Sequence, residues 1–224
     1  MSSILVVAAH PDDELLGVGG TIARHVVSGD SVCVLVVGEG ATSRVDGTLD
    51  KAEVLKEAAR NAANILGTEP PVFLNLPDNK LDTIDFLDVV QRIENHTRNL
   101  SAEVIYTHHG GDLNIDHRIV HQAVITAFRP VPGSTVRKIY SFETLSSTEW
   151  STPSMGPNFL PTHFVDITQT LNTKISALKS YEMELRNFPH PRSVEAVRSL
   201  AKVRGCCVGL LAAEAFQVIL DIDT

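Results

Sequence analysis

The chain has 224 residues, of which 43% are hydrophobic and 21% charged, and carries a formal charge of −8. That length suits one domain spanning residues 1–224 and burying roughly 70% of its unfolded surface, and the ordinary composition argues against a disordered or fibrous chain. The negative charge, with no cluster of Lys and Arg, excludes nucleic acid as a partner, and no apolar run reaches the roughly 20 residues of a membrane span.

Short β-rich apolar runs alternate with segments of helical period, the pattern of an α/β fold with a largely parallel sheet flanked by helices. Ile4–Ala8 reads as a first strand, Leu15–Ser28 as a helix closed by Gly29, and Val32–Val37 as a second strand. A turn-rich loop "GEGATSRVDG" follows, then an Ala-rich helix over Lys51–Leu66 capped by Gly67. Val72–Leu74 is a short third strand, Ile84–Leu100 a helix and Val104–Thr107 a fourth strand. The stretch "HHGGDLNIDHRIVHQAVITAF" is a polar loop that turns helical at about Ile115, and Val136–Phe142 predicts another strand. Ser146–Pro161 reads as a long surface loop of the kind that is often functional. A helix over Thr168–Leu185, the segment "NFPHPRS" and an Ala-rich helix within Val194–Phe216 complete the chain.

Two polar clusters fall just after strands one and four, where ligands sit in open α/β sheets. In the first, His10, Asp12, Asp13 and Glu14 follow an apolar strand directly. One imidazole and one carboxylate fall short of a catalytic zinc site, which takes three protein ligands. His10 and Asp13 therefore need a third donor, and His117, at the start of a helix in the second cluster, is the best one. Asp12 is then left beside the metal's water as a general base, Asp116 is placed to orient an imidazole, and Glu14 suits the helix dipole. The bland alternative is that these acids only cap a helix.

Other signals are weaker. His117 and His121 share one helix face, but the Glu of an HExxH metalloprotease is absent. Gly17, Gly19 and Gly20 match neither GxGxxG nor a P-loop, and read as close-packing positions. His25, His96 and His163 sit in no motif. Cys33, Cys206 and Cys207 form no disulfide framework, and Met1-Ser2-Ser3 lacks a signal peptide's charged start, so a cytoplasmic setting is expected.

"AHPDDELLGVGGTIARH" resembles the first motif of the PIG-L/LmbE family of zinc-dependent N-acetyl-sugar deacetylases, and "DLNIDHRIVHQAV" its second. The likeness extends to "LKSYEMELRNFPHPRS" and "RGCCVGLLAAEAF". It implies a Rossmann-like fold, zinc held by His10, Asp13 and His117, and Asp12 as general base. The implied reaction is hydrolysis of the acetamide of an N-acetylglucosamine-type sugar or conjugate by a metal-activated water. Ferrous iron suits the same ligands, and family members often assemble into oligomers. Where many members carry His-Xaa-Asp-His, this chain has Asn114, which donates a hydrogen bond to an oxyanion but gives up no proton. His109, then His108 and His190, are the candidates for the missing acid. Arg44 and Arg192 are candidate substrate ligands, with His190 beside them. A metal-dependent phosphoesterase and a metal-binding module without turnover are the competing readings.

Overall fold

The computed structural model describes residues 1–41 and 49–223. A seven-stranded sheet runs through its centre, built from β1 (Ser3–Ala8), β2 (Ser31–Gly38), β3 (Val72–Leu76), β4 (Val104–His108), β5 (Lys138–Phe142), β6 (His163–Asp166) and β7 (Ala213–Asp221). The order is β3-β2-β1-β4-β5-β7-β6. The first five strands are parallel, and β7 and β6 pair antiparallel at one end. The fold is therefore α/β and Rossmann-like.

Helices cover both faces: α1 (Asp13–Val27), α2 (Leu49–Leu66), α5 (Leu171–Leu178) and α6 (Val194–Cys206) on one, α3 (Phe86–Thr97) and α4 (Ile115–Ala127) on the other. The continuous apolar run of β1 follows from this double cover. Ile4 and Val6 join the core under α1 and α2, while Leu5 and Val7 join the core under α3 and α4. The first helix glycines are close-packing positions: a Cβ on Gly17 would lie 2.2 Å from the Phe142 ring, and one on Gly20 2.8 Å from Ile167. Beside Gly20 a buried ion pair, Lys174 to Glu214 at 2.6 Å, engages the helix itself. Glu214 accepts from the Gly20 and Thr21 amides, and Lys174 donates to the Leu16 carbonyl.

Three expectations change. Helix α5 is eight residues long rather than running to Leu185, because the chain turns after Leu178 to bury Tyr181, whose hydroxyl donates to Glu14 at 2.7 Å. The Ala-rich tail is helical only to Cys206. Beyond the positive-φ turn at Gly209 it becomes β7, since the slot between β5 and β6 outweighs the helix propensity of alanine. Strand β6, with His163 stacked on Tyr140 at 4.4 Å, had no local signal. No helix among the described residues is long and apolar enough to cross a membrane.

Candidate metal and catalytic site

Strand order reverses between β1 and β4, and the loops leaving these two strands meet at that point. His10 and Asp13 come from the turn after β1, and His117 from the first turn of α4. One ligand atom from each lies within 4.8 Å of the others. Asp13 Oδ2 is the hub, 3.3 Å from His10 Nδ1 and 3.3 Å from His117 Nε2. It also accepts the His10 backbone amide at 2.9 Å. Its other oxygen, Oδ1, is buried with no hydrogen-bond partner, which a bound cation would satisfy. Two imidazoles and one carboxylate, closely grouped and buried, fit zinc or ferrous iron.

The outer nitrogen of each imidazole faces a carboxylate. His10 Nε2 lies 3.0 Å from Asp116 Oδ2 and 3.2 Å from Asp78 Oδ1, and His117 Nδ1 lies 3.1 Å from Asp112 Oδ1, off the line of a well-directed hydrogen bond. Such partners fix ring orientation in metal sites. Burial alone would lower both imidazoles. The hydrogen bonds of Asp116 and Asp13 and nearby charge instead push His10 up to about 10, and Asp13 and Asp112 push His117 up to about 9. Asp13 runs the other way: burial would raise it, but His117 and His108 beside it and its hydrogen bonds hold it well below its ordinary value.

Asp12 sits at the N-terminus of α1 with φ 102°, left-handed backbone that Asp tolerates better than most residues. Its carbonyl still accepts from Leu15 and Leu16, so the helix starts normally. Arg192 Nη1 donates to Asp12 Oδ2 at 3.0 Å and to Glu184 Oε2 at 2.8 Å, and its Nε donates to Ser146 Oγ at 2.7 Å. Burial pushes the Asp12 carboxyl well above its ordinary value, against the pull of Arg192 and with the help of Asp13, Glu184 and Glu14. Glu14, buried behind it and bonded to Tyr181, is pushed up to about 7 by desolvation.

The remaining candidates are spread out. Asn114 is the cap of α4: its Oδ1 accepts from Asp116 N at 2.8 Å, and its Nδ2 donates to Asn79 Oδ1 at 2.9 Å. His109 lies 2.8 Å from the Pro157 carbonyl through Nε2, and so holds the loop after β5. His108 is buried against the cluster and stacks on His117 at 3.9 Å, but its Nε2 accepts from Ala9 N, which leaves no lone pair for a metal. Burial and the neighbouring His117 keep it well below its ordinary value. His121 Nδ1 donates to the His108 carbonyl, outside the cluster. His190 Nδ1 accepts from Arg192 N, so it shapes the turn that carries the arginine. Arg44 lies outside the described residues. Asp78 and Asp112 had no assigned role from sequence. Asp112 lies within the second motif, whereas Asp78, in the turn after β3, is brought in only by folding.

The GlcNAc-PI de-N-acetylase (PIG-L) profile matches residues 5–128, the stretch holding both clusters and β1 to α4. The chain belongs to the PIG-L family. An Escherichia coli member described as an uncharacterized deacetylase, YaiS, is 31% identical over 185 residues, 80% of this chain and 90% of that one. The diacetylchitobiose deacetylase of Thermococcus kodakarensis is 23% identical over 99% of this chain and 85% of its own length. Among solved structures, N,N'-diacetylchitobiose deacetylase from Pyrococcus horikoshii superposes with a TM-score of 0.78 at 19% identity, covering 98% of this chain and 84% of that one. PIG-L membership places the chain among amide hydrolases.

Proposed function

We propose that this PIG-L protein is a metal-dependent hydrolase that removes the N-acetyl group from an N-acetylglucosamine-type sugar or its conjugate. One observation carries the reading: His10, Asp13 and His117 bring a ligand atom each within 4.8 Å of the others, and the Asp12 carboxylate is near enough to feel the charge of Asp13. The names of the family and of the Thermococcus relative support the acetamide of an amino sugar as the bond cut.

A bound zinc ion, or ferrous iron, supplies Lewis acidity toward the amide carbonyl and lowers the pKa of water. His10, Asp13 and His117 would hold it. Asp12 accepts a proton from the attacking water as the new C–O bond forms. A base whose proton affinity is raised by burial is suited to work near neutral pH. Arg192 fixes Asp12 Oδ2 from behind, which makes it a positioning residue with two of its donor groups already committed. As the C–N bond breaks, the amine nitrogen takes the proton back from Asp12, since Asn114 has none to give. The products are the free amine and acetate. The free cysteines suit a reducing, cytoplasmic setting.

The test pairs metal analysis with acetate release from N-acetylglucosamine derivatives. One equivalent of metal is expected, with activity that a chelator abolishes and zinc or ferrous iron restores. Asp12→Asn should keep the metal and lose roughly 10²–10⁴ in kcat. Activity that survives this change would overturn the mechanism. Two equivalents of metal with phosphomonoester turnover would favour the phosphoesterase reading, through the second group formed by His10, Asp78 and Asp116.

A further inference from the structure

The far end of α1 lines a cavity of about 330 Å³, bounded also by β4, β5 and the edge strand β6. Val104 and Lys138, which line it, are the first residues of β4 and β5. The cavity therefore lies toward the amino ends of these parallel strands, whereas His10, Asp13 and His117 follow the carboxyl ends of β1 and β4. It is separate from the metal centre.

Its wall is aromatic. Tyr106 and Tyr140 pack with ring centroids 5.5 Å apart, and His163 lies flat on Tyr140. Burial raises the Tyr106 phenol, so it keeps its proton. That hydroxyl lies 3.1 Å from His25 Nε2, and His25 Nδ1 donates to Asp30 Oδ2 at 2.8 Å. Asp30 Oδ1 accepts from the Ser2 amide at 2.7 Å, so both oxygens of the cavity's carboxylate are engaged. The cations are balanced less closely. Arg24, at the exposed rim, donates through Nη1 to the Asp166 carbonyl, and Lys138 Nζ stands 3.8 Å from Asp221 in a pair open to solvent. The Lys138 charge also reaches the wall, since after burial it is the next cause that lowers His163.

Thr21 points to an occupant. It lines the cavity, is buried, and its Oγ1 has no hydrogen-bond partner, a costly state for a hydroxyl. A flat ring bearing an anionic group fits this lining: the ring meets Tyr106, Tyr140 and His163, and the anion meets Arg24 and Lys138. Free phosphate would make no use of the aromatic wall, and a neutral sugar none of the two cations. We propose that the cavity binds a small aromatic carboxylate, with the Thr21 hydroxyl bonding a polar substituent on the ring. The volume suits such a ligand, at the small end of ligand pockets. The site does not depend on the deacetylase reading.

Calorimetric titration of the metal-loaded protein tests it. 4-Hydroxybenzoate should bind at one site with a Kd below about 1 mM, benzoate should bind roughly 3–10-fold more weakly, and neither acetate nor inorganic phosphate should compete. Arg24→Gln combined with Lys138→Gln should weaken both aromatic acids by about tenfold or more and leave the bound metal unchanged. Thr21→Val should erase the advantage of 4-hydroxybenzoate and leave benzoate binding as it was. Because that change removes an unpaired hydroxyl, the variant should melt no lower than the native protein, which separates a lost contact from a lost fold. No saturable binding of either acid, equal native affinity for the two, or binding that resists the double change overturns the proposal. Binding that His10→Ala abolishes and the double variant keeps puts the carboxylate on the metal and overturns it equally.

Discussion

Asp112 illustrates how much one carboxylate can carry. It faces His117 Nδ1, takes the hydroxyls of Ser147 and Thr148, and accepts the Asn114 amide at 2.9 Å. Burial would raise its carboxyl, but these partners hold it down to about 2. Asp112→Asn should weaken metal affinity by about 10–100-fold, the usual effect of losing an orienting partner, and equilibrium zinc competition would measure it. Unchanged affinity would remove Asp112 from the site. At this scale the sequence is partly legible. Asp12 and Asp13 stand out because adjacent acids after an apolar strand need an explanation, whereas Asp78 has ordinary neighbours and gains meaning only from what lies across from it.

At the scale of elements, α1 has to do two things. Its first turn brings Asp12 and Asp13 into the site, and its middle must lie close enough to β5 and to the segment after β6 for Gly17 to touch Phe142 and Gly20 to touch Ile167. Gly17→Ala should therefore destabilise the fold by about 1–3 kcal/mol despite the better helix propensity of alanine, because the buried Phe142 ring must shift. Chemical denaturation would show it, and a stabilised variant would contradict the packing. The alternation of strands and helices down to β5 is readable because apolar period and turn residues agree there. The tail is not readable in the same way: "AAEAF" carries helix propensity, and only the open slot between β5 and β6 makes it part of a strand.

Across the whole molecule, metal loading and protonation are linked. In the metal-free protein His10 and His117 hold their protons to about 10 and about 9. Their folded-state values lie above the ordinary imidazole value, so their contribution to stability is full below about pH 6.5 and is lost as pH rises through 9 and 10. Zinc bound at the proposed site would have to displace those protons. Calorimetry in buffers of different ionisation enthalpy should show about two protons released near neutral pH. The Tm gain from zinc should grow as pH rises from 6 toward 9, and a gain independent of pH would rule out this ligand pair.

The sequence by itself determined the strand-helix alternation and both polar motifs, and offered the residue types of the proposed two-His, one-Asp centre, because period, turn chemistry and unneutralised acids are local properties. It also marked Arg192 and the loop after β5 as worth attention. Only the tertiary structure decided that the two motifs meet, since strands β1 and β4 are nearly a hundred residues apart in the chain and become neighbours where the sheet reverses order. It likewise turned Arg192 toward Asp12 and sent His109 and His121 to backbone carbonyls. Those placements depend on which side chains lie across a gap between elements, and hydrophobic period and turn chemistry carry no record of that.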